Sequence, residues 1–135
     1  GNTGPWSPWV QAQQSLDDRE MTRLFGTWTR SSSSGAFRGT VSSATSNGAE
    51  LDGEVLGSRV YVWATTCPTC GRMDITVSNG RGSFRFGVDT RSATTRKKVL
   101  VWTGTVPRGW LSVMIRPVGT TGRPKVVVDA IGSAW

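Results

Sequence analysis

From about residue 21 onward, apolar and polar residues alternate along short stretches that are separated by turn-forming residues. A period of two is typical of β-strands with one buried face, whereas an amphipathic helix needs a period near 3.6. The apolar positions of these stretches are Val60/Val62, Met73/Ile75/Val77, Phe84/Phe86/Val88, Val99/Val101, Leu111/Val113/Ile115 and Val126/Val128/Ala130. We expect these positions to face a common core.

The pattern predicts about nine strands with no long helices between them. After a first run that begins near residue 21, strands are expected at 36–42, 49–55, 59–64, 72–78, 83–89, 97–102, 110–116 and 125–131. Gly, Asn and Pro favour the backbone angles of tight turns, and they occur together at Asn47-Gly48, Asn79-Gly80, Pro107-Arg108-Gly109 and Gly119-Thr120-Thr121-Gly122. The chain is therefore expected to be all-β, a two-sheet antiparallel β-sandwich of jelly-roll type.

The N-terminal segment has a different composition. Two prolines and two glycines fall within residues 1–9, which excludes a regular helix or a central strand there. We interpret residues 1–15 as a linker or the tail of a preceding domain, and residues 16–135 as one β-sandwich domain. Ser15, followed three residues later by Asp18, is a helix-cap signal, and a turn or two of helix could follow it.

Charge is distributed unevenly along the chain. The formal net charge is +7. Residues 1–80 contain six basic and seven acidic side chains, whereas residues 81–135 contain ten and two. Such a positive field attracts polyanions such as acidic polysaccharides or teichoic acids, although it also serves solubility alone. Nucleic acid is not the expected partner because no recognisable reading motif accompanies the charge.

The chain contains no histidine. This removes Ser/His and Cys/His nucleophile systems, the most frequent general base near neutral pH and the commonest metal ligand. No apolar run approaches the roughly 20 residues of a membrane helix, so membrane insertion is not expected. We expect no catalytic residue, no cofactor and no metal.

Glu50, Asp52 and Glu54 form the densest carboxylate cluster. Alternate residues of a strand share a face roughly 7 Å apart, a separation that a glycosidase carboxylate pair can use. The intervening residues are those expected to face the core, so the three acids are predicted to lie on a solvated face. A solvated carboxylate has no reason to acquire a raised pKa. A calcium site is the other alternative for this cluster.

The sharpest local motif is Cys67-Pro68-Thr69-Cys70. These are the only two cysteines, so one chain cannot supply four nitrogen or sulfur ligands to a metal. Because the motif lies between two strand runs, we predict a disulfide that staples the loop in an oxidising compartment. Free thiols with a redox role are the alternative.

Several aromatic residues fall on the strand face opposite the aliphatic one. The pairs are Trp63 with Tyr61, Trp102 with Leu100, and Trp110 with Met114. Tryptophan packs sugar rings well because its flat face covers C–H groups while neighbouring polar groups bind the hydroxyls. The predicted ligand-binding residues are Trp63, Tyr61, Arg72, Arg91, Trp102 and Trp110. The alternative is that these faces are also covered and the rings pack within the sandwich.

Two longer segments, 87–102 and 126–130, together with the shorter stretches 26–28 and 57–63, resemble a module family common in secreted proteins of Gram-positive bacteria. The resemblance covers roughly residues 7–131 and implies a galactose-binding-like jelly roll, related in architecture to carbohydrate-binding modules. Modules of this family often follow fibronectin type III domains, and residues 1–9 resemble the closing strand of such a domain.

The resulting expectation is a secreted or cell-surface, non-catalytic module that binds carbohydrate or a cell-wall polymer, anionic polymers included, beside neighbouring domains of a larger chain. The binding mechanism would combine ring stacking with charge-assisted hydrogen bonds. The alternative is a structural or protein-interaction spacer, which predicts no aromatic patch open to solvent. A hydrolase would require two converging carboxylates in a cleft.

Overall fold

The computed structural model describes residues 14–17, 21–25, 28–32, 40–45, 49–118 and 122–134. Within these ranges the chain forms nine β-strands, all paired antiparallel. They are β1 (Gln14–Asp17), β2 (Thr22–Phe25), β3 (Thr29–Ser32), β4 (Thr40–Ala44), β5 (Glu50–Thr66), β6 (Arg72–Ser78), β7 (Ser83–Asp89), β8 (Arg96–Pro117) and β9 (Val126–Ala134). The all-β, antiparallel sandwich prediction is confirmed.

Two long strands contribute to both layers of the sandwich. The strands β5 and β8 have 17 and 22 residues, and they pair with each other along most of their length. The first layer runs β7, β6, the second half of β8, the first half of β5, and β2. The second layer runs from the first half of β8 through the second half of β5 to β9, whose other edge holds β4 and β1, with β3 beyond β4. A single ladder therefore forms one corner of the sandwich.

The corner lies where the β5–β8 register shifts. Gly57 pairs with Gly109 and Arg59 pairs with Thr105, so the segment 106–108 bulges opposite one residue of β5. The bulge accommodates Pro107 because no ladder N–H is needed there. A Cβ on Gly57 would lie 2.5 Å from the carbonyl oxygen of Ala134, so the backbones approach too closely for a side chain. The prediction of a hairpin at 107–109, and of separate strands on either side, was wrong.

The main core fills the space between the layers. It contains the predicted faces of β5, β6 and the second half of β8, each fully buried, together with Trp28 at 4% exposure. Its largest members are Leu51, Val55, Val60, Val62, Trp28, Met73, Ile75, Val77, Leu111, Val113, Ile115 and Ile131. Burial of these side chains stabilises the fold at about 25 cal/mol per Å² of apolar surface.

Two β-bulges shift the alternation that the sequence predicts. In β8, Leu100 pairs with Trp63 and Trp102 pairs with Val62, so Val101 is an extra residue. In β9, Ala130 pairs with Trp63 and Val128 pairs with Ala64, so Asp129 is an extra residue. Each bulge adds one residue, so the side chains beyond it change face. Consequently Trp102 packs against the main core instead of sharing a face with Leu100, and Ala130 leaves the main core.

A buried carboxylate holds this bulged region together. The Thr65 hydroxyl donates to Asp129 Oδ1 at 3.0 Å, and the backbone N–H of Lys98 donates to Asp129 Oδ2 at 2.7 Å. Lys98 has φ 57°, a left-handed conformation that L-residues adopt at a cost. Asp129 therefore stabilises the strained start of β8 from across the intervening strand.

The connection between β6 and β7 is the hairpin that Asn79-Gly80 predicts. The Asn79 side-chain oxygen accepts N–H groups of Arg81 at 2.9 Å and Gly82 at 3.0 Å, and Gly80 has φ 85°. The prediction of a helix cap at Ser15 was wrong, because Ser15 lies within β1 and pairs with Gly132 of β9. The proposed domain boundary between residues 15 and 16 also falls inside β1. Residues 1–13, the turn at 47–48 and most of the turn at 119–122 lie outside the described residues.

Candidate functional site

The outer face of the first layer is predominantly polar and accessible to solvent. Side chains alternate along each strand, so the residues between the core positions of β5, β6, β7 and β8 point outward here. We call this surface the polar face, and it consists of Glu50, Asp52, Glu54, Leu56, Arg72, Asp74, Thr76, Ser78, Arg85, Trp110, Ser112, Met114 and Arg116. It contains two of the six predicted ligand-binding residues, Trp110 and Arg72.

Trp110 is the most exposed large apolar side chain among the described residues, with 63% of its surface accessible. It pairs with Leu56 across the ladder, and the next outward position pairs Ser112 with Glu54. The indole ring therefore lies beside a hydroxyl and a carboxylate on the same face. A flat apolar ring next to hydrogen-bonding groups is the arrangement that a sugar ring requires.

The opposite end of the polar face is a charge-paired cluster. Arg85 Nε donates to Asp74 Oδ2 at 3.1 Å, and a second guanidinium nitrogen of Arg85 contacts the same oxygen. A Cβ on Gly87 would lie 3.2 Å from Arg72 Nη2, which places the Arg72 guanidinium over the backbone of β7. Arg72 and Trp110 therefore occupy opposite ends of one face and do not form a single contact site.

The carboxylate cluster is not uniformly solvated, as the sequence had suggested. Glu54 is exposed, but Glu50 is only 4% exposed and accepts the Nε–H of Arg116 at 2.7 Å. Burial, reinforced by the neighbouring Glu50, raises the pKa of the Asp52 carboxyl from 3.8 to about 7. Among the described residues, none donates a hydrogen bond to Asp52 Oδ1. A protonated Asp52 carboxyl would donate a hydrogen bond to the Glu50 carboxylate. The prediction of three ordinary solvated acids was wrong for these two residues.

Tyr61 and Trp63 are buried, which corrects their assignment as exposed sugar-stacking residues. They lie on the outer face of the second layer and are 5% and 0% exposed. Their rings stack with centroids 5.7 Å apart and an interplanar angle of 17°. They form a separate apolar cluster with Ala130, against which Leu100 packs. This face is covered, as the alternative interpretation of the sequence allowed, so neither ring presents a surface to a ligand.

Trp102 lies at one side of the sandwich. At this side the first layer ends at β7, and the second layer ends at the first half of β8. Its ring packs against Phe86 with centroids 4.6 Å apart and an interplanar angle of 34°. A Cβ on Gly104 would lie 2.5 Å from Trp102 Cζ2, so the indole rests directly on the backbone of β8. We call this side of the sandwich the open side, and its apolar residues are Phe84, Phe86, Val88, Val101 and Trp102.

The predicted disulfide is present between Cys67 and Cys70. Both cysteines are buried, and they pack with Val41 and Val127 in a cluster of their own. Arg91, the sixth predicted ligand-binding residue, follows β7 and forms an isolated bridge with Cys67. Its side chain is exposed, and it follows Val88 of β7 by three residues.

Sequence reasoning missed the partial exposure of Phe84, Phe86 and Val88. Alternation correctly placed them on the inward face of β7, where they pair with the fully buried Val77, Ile75 and Met73 of β6. Nothing in the alternation shows that β7 is an edge strand. The only indication was the dense positive charge around this stretch of the chain.

The described parts of the chain contain no group of three or more His, Cys, Asp or Glu side chains arranged to hold a metal ion. In the same parts no helix has the length and apolar character needed to cross a membrane.

Solved structures similar to this chain come from carbohydrate-active proteins. A Paenibacillus xanthan lyase matches with a TM-score of 0.66 at 18% identity, covering 90% of this chain and 13% of that chain. An exo-β-1,3-galactanase from Phanerochaete chrysosporium matches with a TM-score of 0.58 at 19% identity, covering 89% and 29%. The CBM36-1 domain of a multidomain xylanase from the hindgut metagenome of Trinervitermes trinervoides matches with a TM-score of 0.53 at 14% identity, covering 87% and 92%.

No family model matches the chain, and no curated protein matches it in sequence. The chain spans less than a third of the lyase and galactanase chains, whereas it spans nearly all of the xylanase domain. At these sequence identities the similarity establishes the jelly-roll sandwich fold.

Proposed function

We propose that the chain is a non-catalytic carbohydrate-binding module of a larger extracellular protein. The observation that carries the proposal is Trp110, an indole with 63% of its surface exposed on a face that is otherwise polar. An exposed indole forgoes the stabilisation that burial of its apolar surface would give. Its position beside hydrogen-bonding groups is typical of an interaction site. The similarity to domains within carbohydrate-active enzymes supports the same conclusion.

Binding would begin with a sugar ring stacked on Trp110. Ser112 and Glu54, one outward position further along the ladder, can bind the hydroxyl groups of the same or the next sugar. Met114, partly exposed beyond Ser112, extends the apolar surface. The sheet face is open, so it suits an internal stretch of a polysaccharide chain.

The carboxylates of the polar face support a binding role rather than hydrolysis. A glycosidase needs two carboxyl groups that flank the scissile bond on opposite sides. Glu50 is buried against Arg116, and Asp52 and Glu54 point from one strand in one direction. The raised pKa of Asp52 has its cause in burial and in Glu50, so it needs no catalytic explanation.

A secreted location fits the disulfide. Disulfides persist in oxidising compartments and are rare in the cytosol. The Cys67–Cys70 bridge is buried against Val41 and Val127, which makes it part of the folded structure. The spacer alternative predicted no aromatic patch open to solvent, and the exposure of Trp110 argues against it.

The test is affinity gel electrophoresis of the wild type with neutral polysaccharides, using xylan and β-1,3-galactan as probes. Retardation by at least one polymer is expected, and Trp110→Ala should weaken it at least tenfold because the stacking surface is removed. Trp110→Phe should retain most of the binding. Val118→Ala, which truncates another exposed apolar residue, is the matched control and should bind as the wild type does. Equal binding by wild type and Trp110→Ala would contradict the proposal.

A further inference from the structure

We infer that the open side of the sandwich is a second binding surface, specific for acidic polysaccharides that carry sugar carboxylates. The inference rests on the proposed function, because it names a substrate class for the same module. It is carried by observations on β7, the loop after β7 and the first half of β8. The apolar side chains of β7 lie on the inward face of the first layer, whereas Trp110 lies on its outward face.

The floor of this surface is apolar and incompletely covered. Phe84 is 38% exposed, and Phe86 and Val88 are partly exposed, although all three point toward the interior of the sandwich. They remain accessible because the first layer ends at β7 and the second layer ends at β8. From Phe84 to Val88 the strand extends about 13 Å, enough for about two or three sugar rings.

The rim of this surface is positive. Residues 81–98 include six basic side chains and one acidic side chain. Arg81, Arg91 and Arg96 are exposed. Arg85, Arg116 and Arg123 form ion pairs with carboxylates, whereas Arg91 and Arg96 form none with a carboxylate of the described ranges. Guanidinium groups bind carboxylates through two parallel hydrogen bonds, which gives them geometric selectivity.

The loop that carries Arg91 is anchored to the disulfide turn. The Thr90 hydroxyl donates to the carbonyl oxygen of Gly71 at 2.6 Å, and the N–H of Ser92 donates to the carbonyl oxygen of Cys67 at 3.1 Å. Arg123 donates to the carbonyl oxygen of Cys70 at 2.8 Å and to Asp89 Oδ1 at 3.0 Å. The backbone that carries Arg91 is therefore held in position before a ligand arrives, which lowers the entropic cost of binding.

The floor favours a sugar chain over a nucleic acid. Single-stranded nucleic acid binds through bases stacked on open aromatic faces. Here the Trp102 ring packs against Phe86 and against the backbone at Gly104, so much of its surface is already in contact. The most exposed ring of the floor is Phe84, and one such ring offers no platform for successive bases. Together with Val88 it suits the C–H faces of sugars, while arginines bind their carboxylates.

The experiment compares sodium polygalacturonate with highly methyl-esterified polygalacturonate, the same backbone without most of its charge. Binding to the full chain is measured by titration calorimetry at low salt and repeated at increasing salt. Wild type should bind the acidic polymer and lose affinity as salt rises, with binding to the esterified polymer at least tenfold weaker. The double variant Arg91→Gln/Arg96→Gln should lose about tenfold in affinity for the acidic polymer.

Two controls separate the site from general electrostatics. Arg59→Gln/Arg108→Gln removes the same charge at the corner of the sandwich and should change affinity less than twofold. Phe84→Ser keeps every charge and should weaken binding about fivefold, because the floor loses its apolar surface. Equal losses in the two arginine pairs, or an unchanged Phe84→Ser, would overturn the inference. Equally tight binding of oligo(dT) would overturn it too.

The proposed function is tested separately within the same experiment. Trp110→Ala should leave polygalacturonate binding unchanged while it weakens binding of the neutral polymers. Loss of neutral-polymer binding in Trp110→Ala without any effect of the open-side variants would remove the inference and leave the proposed function intact. Absence of binding to every polymer would remove both.

Discussion

The two outer faces of this sandwich look alike in sequence and differ in structure. Each has an aromatic residue at outward positions of a long strand pair, Tyr61 and Trp63 in the second layer and Trp110 in the first. Trp63 is fully buried, and Trp110 is 63% exposed. The second layer therefore has apolar clusters on both of its faces, whereas the first layer has one apolar and one polar face.

The difference shows that alternation assigns a side chain to a face but does not determine what lies over that face. The neighbours of each aromatic residue are more informative. Trp63 lies in an apolar cluster with Tyr61 and Ala130, whereas Trp110, which pairs with Leu56, has the polar pair Ser112 and Glu54 at the next outward position. A covered face needs apolar surroundings because unpaired buried polar groups are costly. An aromatic residue among polar ones is the better candidate for ligand binding.

The largest effect on the free energy of unfolding is expected from truncating Trp63 on the covered face. Trp63→Ala should destabilise the fold by about 3–5 kcal/mol, since it leaves a large cavity in a buried cluster. The free energy of unfolding is measured by urea titration followed by circular dichroism. A loss below about 1 kcal/mol would show that the face over Trp63 is open to solvent, and the comparison would fail.

The next largest effect is expected at the corner that separates the layers. Gly57→Ala should destabilise by about 1–3 kcal/mol, because the new Cβ would lie 2.5 Å from the carbonyl oxygen of Ala134. Gly82→Ala is the matched control, since nothing lies within 4 Å of its new Cβ. Thermal unfolding of both variants provides the measurement. Similar melting temperatures for the two would mean that β5 and β9 do not approach as described.

A smaller effect, dependent on pH, is expected from Asp52 on the polar face. Its pKa is raised from 3.8 to about 7, so the folded state binds more protons than the unfolded state between these values. Stability should therefore fall as pH rises from about 4 to 7 and change little above that range. Asp52→Asn should remove this dependence and stabilise the protein at pH 8 by about 1–2 kcal/mol, after allowance for solvent screening.

The control for Asp52 is Glu54→Gln, which removes an exposed carboxylate from the same face. Its effect on stability should be less than about 0.5 kcal/mol at any pH. Urea unfolding at pH 4.5 and pH 8 distinguishes the two variants. A pH dependence in Asp52→Asn equal to that of the wild type would show that Asp52 is not the group responsible.

The smallest effect on stability is expected from Trp110→Ala. Because the ring is mostly exposed, its removal should change the free energy of unfolding by less than about 0.5 kcal/mol. The same urea titration used for Trp63→Ala provides the measurement. Destabilisation by more than about 2 kcal/mol would mean that Trp110 packs into the fold, and it would cease to be a candidate for sugar binding.

The period-two pattern predicted the strand positions of β6 and β7 and the core faces of β5, β6 and the second half of β8. It failed where the backbone leaves the regular ladder. Bulges at Val101 and Asp129 moved Trp102 and Ala130 to the other face. At the corner opposite Ser58, β5 and β8 each continue as one strand where the sequence predicted two. A bulge depends on the pairing of distant strands, so a single stretch of sequence shows no sign of it.

The candidate site was predicted less completely than the fold. The exposed position of Trp110 and the Cys67–Cys70 disulfide agree with the sequence analysis. Tyr61 and Trp63 are buried, and Trp102 is partly buried against the core. Trp110, Arg72, Trp102 and Arg91 do not form one site. Strand order decides which residues meet, and residues distant in sequence determine that order.

By itself, the sequence determined the all-β class, the core residues of most strands, the pair of cysteines available for a disulfide and the concentration of positive charge after residue 80. These properties depend on side-chain chemistry and on a two-residue period, both local. The tertiary structure decided which outer face is covered, which strands lie at the open side, and how burial beside Glu50 raises the pKa of Asp52. Exposure and electrostatics depend on neighbours that only the folded chain brings together.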